Sequence, residues 1–182
     1  MSNQSFNFRQ FTICQDRCAM KVGTDGVLLG AWAHGGHNIL DIGTGTGLIT
    51  LMLAQRFGKA RLTAVEIDHE AAIQASENVN ASPFAARVTI VETPIQSFSA
   101  QEKFDAIVSN PPFFTDSLKN PDSQRATARH ADTLPYRELF AAVSDLLAED
   151  GEFSAVIPFD CLSQFTAEAY LAGLALSRRC AI

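Results

Sequence analysis

The stretch Leu40-Asp41-Ile42-Gly43-Thr44-Gly45-Thr46-Gly47 lies between a short apolar run, residues 38–42, and a longer helical pattern, residues 48–57. The apolar run predicts a strand and the pattern after it predicts a helix, so the glycines fall in a strand-to-helix turn. Glycines there let the chain bend tightly and let a ligand approach bare backbone, while the start of the helix presents free N–H groups. We predict that this glycine turn, residues 43–47, binds a cofactor.

The spacing of the glycines argues against a dinucleotide cofactor. The G-x-G-x-x-G fingerprint would place its third glycine at position 48, where the chain has Leu48 and the glycine is Gly47 instead. NAD is therefore disfavoured. The candidate contacts are Gly43, Gly45 and Gly47 through their backbone, and Asp41, which either spaces the loop or, as we favour, touches the cofactor.

The rest of the chain alternates short apolar runs with helical patterns, which is typical of an α/β fold with a parallel sheet wrapped by helices. We expect a doubly wound, mostly parallel sheet. Its predicted strands cover residues 38–42, 61–66, 87–91, 104–109 and 152–157. The predicted helices cover residues 48–57, 69–80, 136–148 and 161–173, with Gly151 suited to a helix end, and residues 176–182 are expected to begin a sixth strand.

Two segments do not follow this alternation. Residues 20–33 are apolar but contain Gly23, Gly26 and Gly30, and we interpret residues 1–37 as an N-terminal extension or lid over the cofactor site of a domain at residues 38–182. Residues 113–133 are rich in Asn, Asp, Ser, Thr and Pro. An irregular stretch of that length beside a strand end is typical of a functional loop.

Composition limits the classes of function. The chain has 182 residues, 47% hydrophobic and 19% charged, which is typical of one folded domain. Its net charge of −6 excludes a uniform positive field, so nucleic acid would have to bind at a local patch. Four scattered cysteines form neither a disulfide scaffold nor a complete zinc site. Without a signal peptide or an apolar run long enough to span a membrane, the chain is expected to be a cytoplasmic monomer that uses no metal.

A carboxylate ends the second predicted strand. Glu66 stands there, and an acidic residue at that place can accept hydrogen bonds from both ribose hydroxyls of a cofactor. Ile67 follows it and could pack on one face of an adenine ring. A charged residue at a strand end is often merely solvated, but beside the glycine turn we favour the ribose role.

The motif Asn110-Pro111-Pro112-Phe113 directly follows the fourth predicted strand. Two prolines fix the backbone and remove two N–H donors, which leaves the Asn110 amide oxygen and the Pro111 carbonyl as acceptors in fixed places. Such a pair would hold an exocyclic amine, draw its lone pair out of conjugation and aim it at an electrophilic methyl group, with Phe113 stacked on the base. The alternative is a plain proline turn with a core phenylalanine, which the position at the carboxyl edge of the sheet disfavours.

In this order and spacing, residues 41–47, Glu66 and residues 110–113 resemble class I S-adenosylmethionine-dependent methyltransferases, and the Asn-Pro-Pro-Phe box resembles those that methylate amino nitrogens. Residues 17–32 and 124–140 are more narrowly similar to the bacterial tRNA(Val) adenine-N6 methyltransferases, which modify the adenosine beside the anticodon. The resemblance implies a Rossmann-like class I methyltransferase fold, S-adenosyl-L-methionine as cofactor and tRNA as substrate. It implies methyl transfer to the exocyclic N6 amine of an adenosine.

The resemblance also implies roles in the cofactor site. The methionine end would be lined by residues 21–25, of which the candidates are Lys21, Thr24 and Asp25. Glu66 would hold the ribose and Asn110 the target amine. Family members often have an acidic residue near the cofactor's adenine just after the third strand, but Pro94 takes that place here. The adenine amine would then be held by Glu92, by backbone or by water.

The substrate side leaves alternatives open. Arg129 and His130 are candidate phosphate contacts for a base splayed out of an RNA loop, within a basic group that acidic residues interrupt. The same acceptor pair also fits a protein glutamine amide or an rRNA guanine amine, and a non-catalytic cofactor-binding module is a third hypothesis. The family sheet normally closes with an antiparallel pair of strands, so a domain that lacks its last strand or strands is expected.

Overall fold

The computed structural model describes residues 4–111 and 134–181. The strands are β1 (Ser5–Asn7), β2 (Thr12–Cys14), β3 (Asn38–Ile42), β4 (Arg61–Glu66), β5 (Val88–Glu92), β6 (Phe104–Ser109) and β7 (Leu147–Ala155). The helices are α1 (Thr24–Trp32), α2 (Leu48–Arg56), α3 (His69–Asn80), α4 (Tyr136–Leu146) and α5 (Leu162–Leu171). The five strands from β3 to β7 and the helices α2 to α5 correspond to predicted elements.

Strands β3 to β7 form one sheet in the order β5-β4-β3-β6-β7, and every neighbouring pair is parallel. The chain runs from β3 outward to β5 and then returns to place β6 on the other side of β3. This doubly wound order confirms the predicted α/β class. Ligands of such sheets bind outside the carboxyl ends of the strands, at the point where the strand order reverses. Here that point lies between β3 and β6.

Buried apolar side chains form a layer on each face of the sheet, because alternate residues of a strand point to opposite faces. One layer joins the sheet to α1, α2 and α3, and includes Ile39, Leu51, Leu62, Val79 and Val108. The other joins the sheet to α4 and includes Leu40, Ile42, Ile107, Leu139 and Val143. The central strand β3 is covered on both sides, which fixes the position of the turn that follows it.

Helix α1 was not predicted, because its glycines resemble helix breakers. The structure explains them by close packing: a Cβ on Gly26 would lie 3.1 Å from Leu48 Cδ2, and a Cβ on Gly30 would lie 2.7 Å from Met52 Sδ. Glycine therefore lets α1 approach α2. Phe11 and Ile13, in and beside the β1–β2 hairpin, belong to the same core layer. The lid role of residues 1–37 stays a prediction.

The end of α4 and the start of β7 differ from the prediction. The helix ends at Leu146, not at residue 148, and β7 begins at once. Its register on β6 shifts between Phe104, paired with Leu147, and Ala106, paired with Glu152. Gly151 therefore lies in this irregularity of the ladder and does not end a helix. Regular pairing resumes at Glu152, where the strand was predicted to start.

The predicted sixth strand is wrong for residues 176–181, which form no strand. A strand requires backbone pairing with a neighbour, and side-chain contacts hold this segment instead. The Arg178 guanidinium lies 3.9 Å from the centre of the Trp32 ring. It donates to Glu152 Oε1 at 2.9 Å and to the Trp32 carbonyl at 3.3 Å.

Candidate active site

The carboxyl edge of the sheet brings together most of the predicted site residues that the structure describes. The glycine turn follows β3, Glu66 ends β4, Glu92 ends β5 and Asn110 follows β6. Register pairs Ile42 with Ser109 across β3 and β6, and Glu66 with Glu92 across β4 and β5. The residues chosen from separate motifs therefore share one edge, on both sides of the point where the strand order reverses.

The glycine turn has the left-handed backbone that its sequence suggests. Gly43, Gly45 and Gly47 have φ values of 72°, 56° and 81°, which side chains with a Cβ adopt only with strain. The N–H groups of Gly43 and Thr44 donate to the Val65 carbonyl at 2.9 and 3.2 Å. A Cβ on Gly43 would meet no atom within 4 Å. The turn thus leaves bare backbone beside open space, the form of cradle that a ligand needs.

Asp41 is buried below the turn. Its Oδ2 accepts hydrogen bonds from Thr50 Oγ1 at 2.6 Å and from Thr44 Oγ1 at 2.8 Å. Its Oδ1 is buried and accepts no hydrogen bond from the residues that the structure describes. Burial raises the pKa of Asp41 to about 6, although the two threonine hydroxyls oppose that shift. Asp41 therefore fixes the first residues of the turn through one oxygen and keeps an acceptor free on the other.

Glu66 binds the backbone of its surroundings. Its Oε2 accepts from the Gly45 N–H at 2.7 Å, and its Oε1 accepts from the N–H groups of Ile67 and Asp68 at 2.9 and 3.0 Å. A carboxylate offers about four acceptor positions, so three are in use. One acceptor position remains for a ribose hydroxyl. A second hydroxyl would have to donate to Glu66 Oε2 alongside the Gly45 N–H or in its place.

Ile67 and Glu92 border the same edge. The Ile67 side chain is 62% exposed, which is unusual for isoleucine and suits packing against a flat ring. Glu92 Oε2 lies 2.9 Å from His69 Nδ1, and this hydrogen bond raises the pKa of His69 above its ordinary value. His69, the first residue of α3, was not predicted as part of the site. Glu92 keeps one carboxylate oxygen outside the pair with His69.

Asn110 supplies an unusual acceptor. Its Oδ1 is buried and has no hydrogen-bond partner among residues 4–111 and 134–181, although nearly all buried polar atoms of proteins have one. Ser109 Oγ donates to the Ile42 carbonyl at 2.9 Å, which ties the end of β6 to β3. Pro111 is buried beside it. The other residues of the motif, Pro112 and Phe113, lie outside the described residues, as do the substrate candidates Arg129 and His130.

The N-terminal segment reaches the site from the other side. Lys21, Thr24 and Asp25 are exposed at or just before the first turn of α1. Gly26 packs against Leu48, so that turn lies beside the start of α2, directly after the glycine turn. The arrangement agrees with the expectation that residues 21–25 line the same cavity, which stays a prediction.

Two buried amides on α3 escaped the sequence analysis. Asn78 is 3% and Gln74 is 1% exposed, and both bond to backbone of the N-terminal segment. A signal was present: the two residues are four apart and interrupt an otherwise apolar helix face formed by residues such as Ala71, Ala75 and Val79. Polar residues at helical spacing on a buried face indicate specific hydrogen bonds.

The residues at this edge fit a nucleoside cofactor better than a metal. The open glycine turn and a carboxylate with acceptor capacity suit a ligand that carries hydroxyls and amines. In residues 4–111 and 134–181, no group of three or more His, Cys, Asp or Glu side chains is placed to hold a metal ion. Across the same residues, no helix is long and apolar enough to cross a membrane.

The sequence is similar to a known protein family and to named bacterial proteins. The profile of the methyltransferase small domain family matches residues 22–161. A protein of Bacteroides thetaiotaomicron named tRNA1(Val) (adenine(37)-N6)-methyltransferase is 56% identical over 163 residues, 88% of this chain and 69% of that relative. Proteins with the same name from Bacteroides fragilis and Porphyromonas gingivalis are 54% and 47% identical, each over 98% of this chain, and the chain spans 77% and 74% of them.

Solved structures share the fold. A protein from Agrobacterium tumefaciens described as a predicted O-methyltransferase superposes with a TM-score of 0.60 and 21% identity, over 80% of this chain and 67% of its own. The glycopeptide N-methyltransferase MtfA in complex with S-adenosyl-L-methionine gives a TM-score of 0.52 and 18% identity, over 74% of this chain and 51% of its own. At such identities the likeness shows the fold alone.

Proposed function

Since the chain belongs to the methyltransferase small domain family, and within it to the tRNA1(Val) (adenine(37)-N6)-methyltransferases, we propose that it methylates the exocyclic N6 amine of an adenosine in the anticodon loop of tRNA(Val). The observation that carries the proposal is the buried Oδ1 of Asn110, which has no hydrogen-bond partner in the described part of the chain and lies after β6, next to β3 and the glycine turn, where the strand order reverses. The methyl donor expected of this family is S-adenosyl-L-methionine.

Each part of the cofactor can be assigned to residues along the carboxyl edge of the sheet. Glu66 would accept the ribose hydroxyls, Ile67 would cover one face of the adenine and Glu92 would accept its amine. The methionine end would contact the glycine turn through Gly43, Gly45 and Gly47, with Asp41 Oδ1 as a further acceptor. Side chains at the start of α1 would complete that end: Lys21, Thr24 and Asp25. Bound there, the cofactor supplies an electrophilic methyl group on a sulfonium.

Asn110 and Pro111 would act on the amine of the target base. An N6 amine has two hydrogens, and its lone pair is conjugated with the adenine ring. Acceptance of both hydrogens by Asn110 Oδ1 and the Pro111 carbonyl would hold the nitrogen and direct its lone pair toward the methyl group. Pro112 would keep the second acceptor in place, and Phe113 would stack on the base. After transfer, the methylated amine loses a proton to solvent, so no general base is required.

Substrate binding would rest on a local basic patch, because the net charge of the chain is −6. Arg129 and His130 are the proposed phosphate contacts, in keeping with an anticodon base turned out of its loop. A tRNA substrate also implies that the protein acts in the cytoplasm. The names of the relatives favour tRNA adenine over the alternatives of a protein glutamine amide, an rRNA guanine amine or a non-catalytic module.

Substitution of Asn110 tests the proposal. We expect Asn110→Ala to lower methyl transfer to unmodified tRNA(Val) by on the order of a hundredfold, as for loss of one preorganised polar contact. Affinity for S-adenosylhomocysteine should stay near that of the unaltered chain, because Asn110 faces the target amine. Mass spectrometry of nucleosides would measure transfer, and isothermal titration would measure affinity.

Two results would contradict this assignment. An equal loss of cofactor affinity in Asn110→Ala would make Asn110 a structural residue of the edge. Transfer of labelled methyl to a release-factor peptide by the unaltered chain, with none to tRNA, would favour the glutamine alternative instead.

A further inference from the structure

Asn78 joins two parts of the chain that are far apart in sequence. Its Oδ1 accepts from the Cys14 N–H at 2.9 Å, and its Nδ2 donates to the Cys14 carbonyl and to the Thr46 carbonyl, both at 2.9 Å. Cys14 is the last residue of β2, and Thr46 lies in the glycine turn. One buried side chain on α3 therefore binds both the end of the N-terminal hairpin and the glycine turn.

Residues 15–23, which follow Cys14 in the chain, form a segment that we call the strap. It runs from β2 to the start of α1 and has further anchors. Gln74 Oε1 accepts from the Arg17 N–H at 2.9 Å, and Gln15 Oε1 accepts from the Val22 N–H at 2.8 Å. The Arg17–Glu77 ion pair at 3.1 Å is exposed and adds little. The Gln74 bond thus holds the strap on α3, and the Gln15 bond holds the two ends of the strap together.

The strap lies against the glycine turn. Cys18 is 8% exposed, and its Sγ lies 3.6 Å from the position that a Cβ on Gly45 would take. The last three residues of the strap, 21–23, also belong to the segment 21–25 that is predicted to line the methionine end of the cofactor. Most of the strap precedes residue 22, where the match to the family profile begins. Residues outside that profile are therefore placed to complete the cofactor site.

We propose that Asn78 is a positioning residue that holds the strap and the glycine turn in one fixed arrangement, so that the strap forms a wall of the cofactor site. The inference rests on the proposed function for the identity of the cofactor. Asn78 itself does not need to touch the cofactor. Its Nδ2 group matters most, because that one group donates both to the Cys14 carbonyl and to the Thr46 carbonyl.

The test replaces Asn78 by aspartate in the full chain. Asn78→Asp keeps the size of the side chain and an acceptor for the Cys14 N–H, but it cannot donate and sets a carboxylate against two carbonyl oxygens. We expect S-adenosylhomocysteine to bind about tenfold more weakly or worse. The KM for S-adenosylmethionine should rise while kcat at saturation stays within about threefold, because the amine acceptors are untouched. Amide hydrogen exchange should become faster in residues 12–23 and 43–47.

Asn80→Asp is the matched control, since it makes the same change at an exposed position of the same helix. It should leave affinity and exchange unchanged. Gln74→Met is the second variant: it removes the acceptor of the Arg17 N–H and does not touch the turn. Faster exchange confined to residues 15–23, with a smaller loss of affinity, is expected there.

Several outcomes would overturn the proposal. One is unaltered affinity in a folded Asn78→Asp chain; another is exchange that rises equally in residues 104–109, which would make Asn78 a general stabiliser. If Asn78→Asp does not fold, Gln74→Met is the deciding variant. Faster hydrogen exchange of the strap in that variant, together with unaltered affinity for S-adenosylhomocysteine, would contradict the proposal. Failure of the unaltered chain to bind S-adenosylhomocysteine would contradict the proposed function, whereas the exchange pattern tests the link between strap and turn independently.

Discussion

Two buried acceptor atoms define the chemistry of this edge at the scale of single residues. Within residues 4–111 and 134–181, Asp41 Oδ1 and Asn110 Oδ1 are the buried side-chain nitrogen or oxygen atoms that lack a partner. They belong to β3 and to the residue after β6, which are neighbours in the sheet. An unsatisfied buried acceptor costs about 1–3 kcal/mol. Two of them at one edge therefore point to a ligand that brings N–H or O–H donors.

Asp41 should make stability depend on pH. Burial raises its pKa to about 6, above the value of an unfolded aspartate, so the folded chain binds this proton more tightly. The stability gained is fully present below about pH 4 and is lost as the pH rises through about 6, a change of about 3 kcal/mol. We expect urea unfolding of the unaltered chain to show this loss between pH 4 and pH 7, and Asp41→Asn to lack it.

The same substitution at exposed Asp150 controls for the loss of one negative charge. If Asp41→Asn and the unaltered chain had parallel pH profiles of unfolding free energy, Asp41 would not titrate in this range. A reversed slope would mean that the threonine hydroxyls outweigh the desolvation of the carboxylate.

Residue chemistry selected candidate residues that lie at one edge of the sheet, but it did not predict their hydrogen bonds. The ribose role of Glu66 stays a prediction, and its three bonds to backbone N–H groups depend on how β4 meets the turn. Asn78 was missed because no motif contains it. Its three hydrogen bonds reach Cys14 and Thr46, which are 64 and 32 residues away in sequence. Short motifs report chemistry, whereas long-range bonds require the fold.

At the scale of elements, glycine served two opposite purposes. In the turn it allows a left-handed backbone, which the sequence pattern indicates directly. In α1 it allows close contact with α2, so the same residue type concealed a helix. The central strands β3 and β6 were predicted well because each is a short apolar run buried on both faces. The boundary of α4 and β7 was predicted poorly, since it depends on a register shift against β6.

Gly36, just before β3, is a third case of close contact. A Cβ there would overlap Asp105 Cβ. Asp105 Oδ2 accepts from the N–H groups of His37 and Asn38 at 2.7 and 2.9 Å, which fixes the start of the central strand. We expect Gly36→Ala to displace Asp105 and to lower the free energy of unfolding by about 1–3 kcal/mol, as for overpacking.

Gly58→Ala is the control for this prediction, because a Cβ at Gly58 would meet no atom within 4 Å. It should be neutral or slightly stabilising, since alanine restricts the unfolded chain. Urea denaturation of both variants would measure the difference. Equal stabilities would mean that the Asp105 side chain moves aside without losing its two bonds.

At the scale of the whole molecule, charge and fold serve different parts of the reaction. The residues proposed to bind the cofactor and the target amine lie at one edge of the sheet, and the strand order β5-β4-β3-β6-β7 places the point of reversal between β3 and β6. The net charge of −6 repels a polyanion on average. A tRNA substrate therefore requires cations concentrated near that edge. Several cationic residues lie between positions 119 and 130 of the sequence, in the segment that follows the Asn-Pro-Pro-Phe motif.

Salt dependence should reveal such a local patch. Each phosphate contact releases about one counterion, so the logarithm of affinity falls linearly with the logarithm of salt concentration, with a slope set by the number of contacts. Arg129 is a proposed contact. We expect Arg129→Ala to weaken tRNA(Val) binding and methylation and to reduce the salt slope by about one.

Arg61→Ala provides the matched control. Arg61 is exposed, pairs with Glu102 at 2.9 Å and starts β4, so it lies at the amino edge of the sheet, opposite the edge that carries Asn110. Its loss changes the net charge by the same amount. Titrations of tRNA(Val) at several salt concentrations should give this variant the slope of the unaltered chain. An equal reduction of slope in both variants would assign the effect to net charge, and no reduction in Arg129→Ala would remove that residue from the phosphate-binding patch.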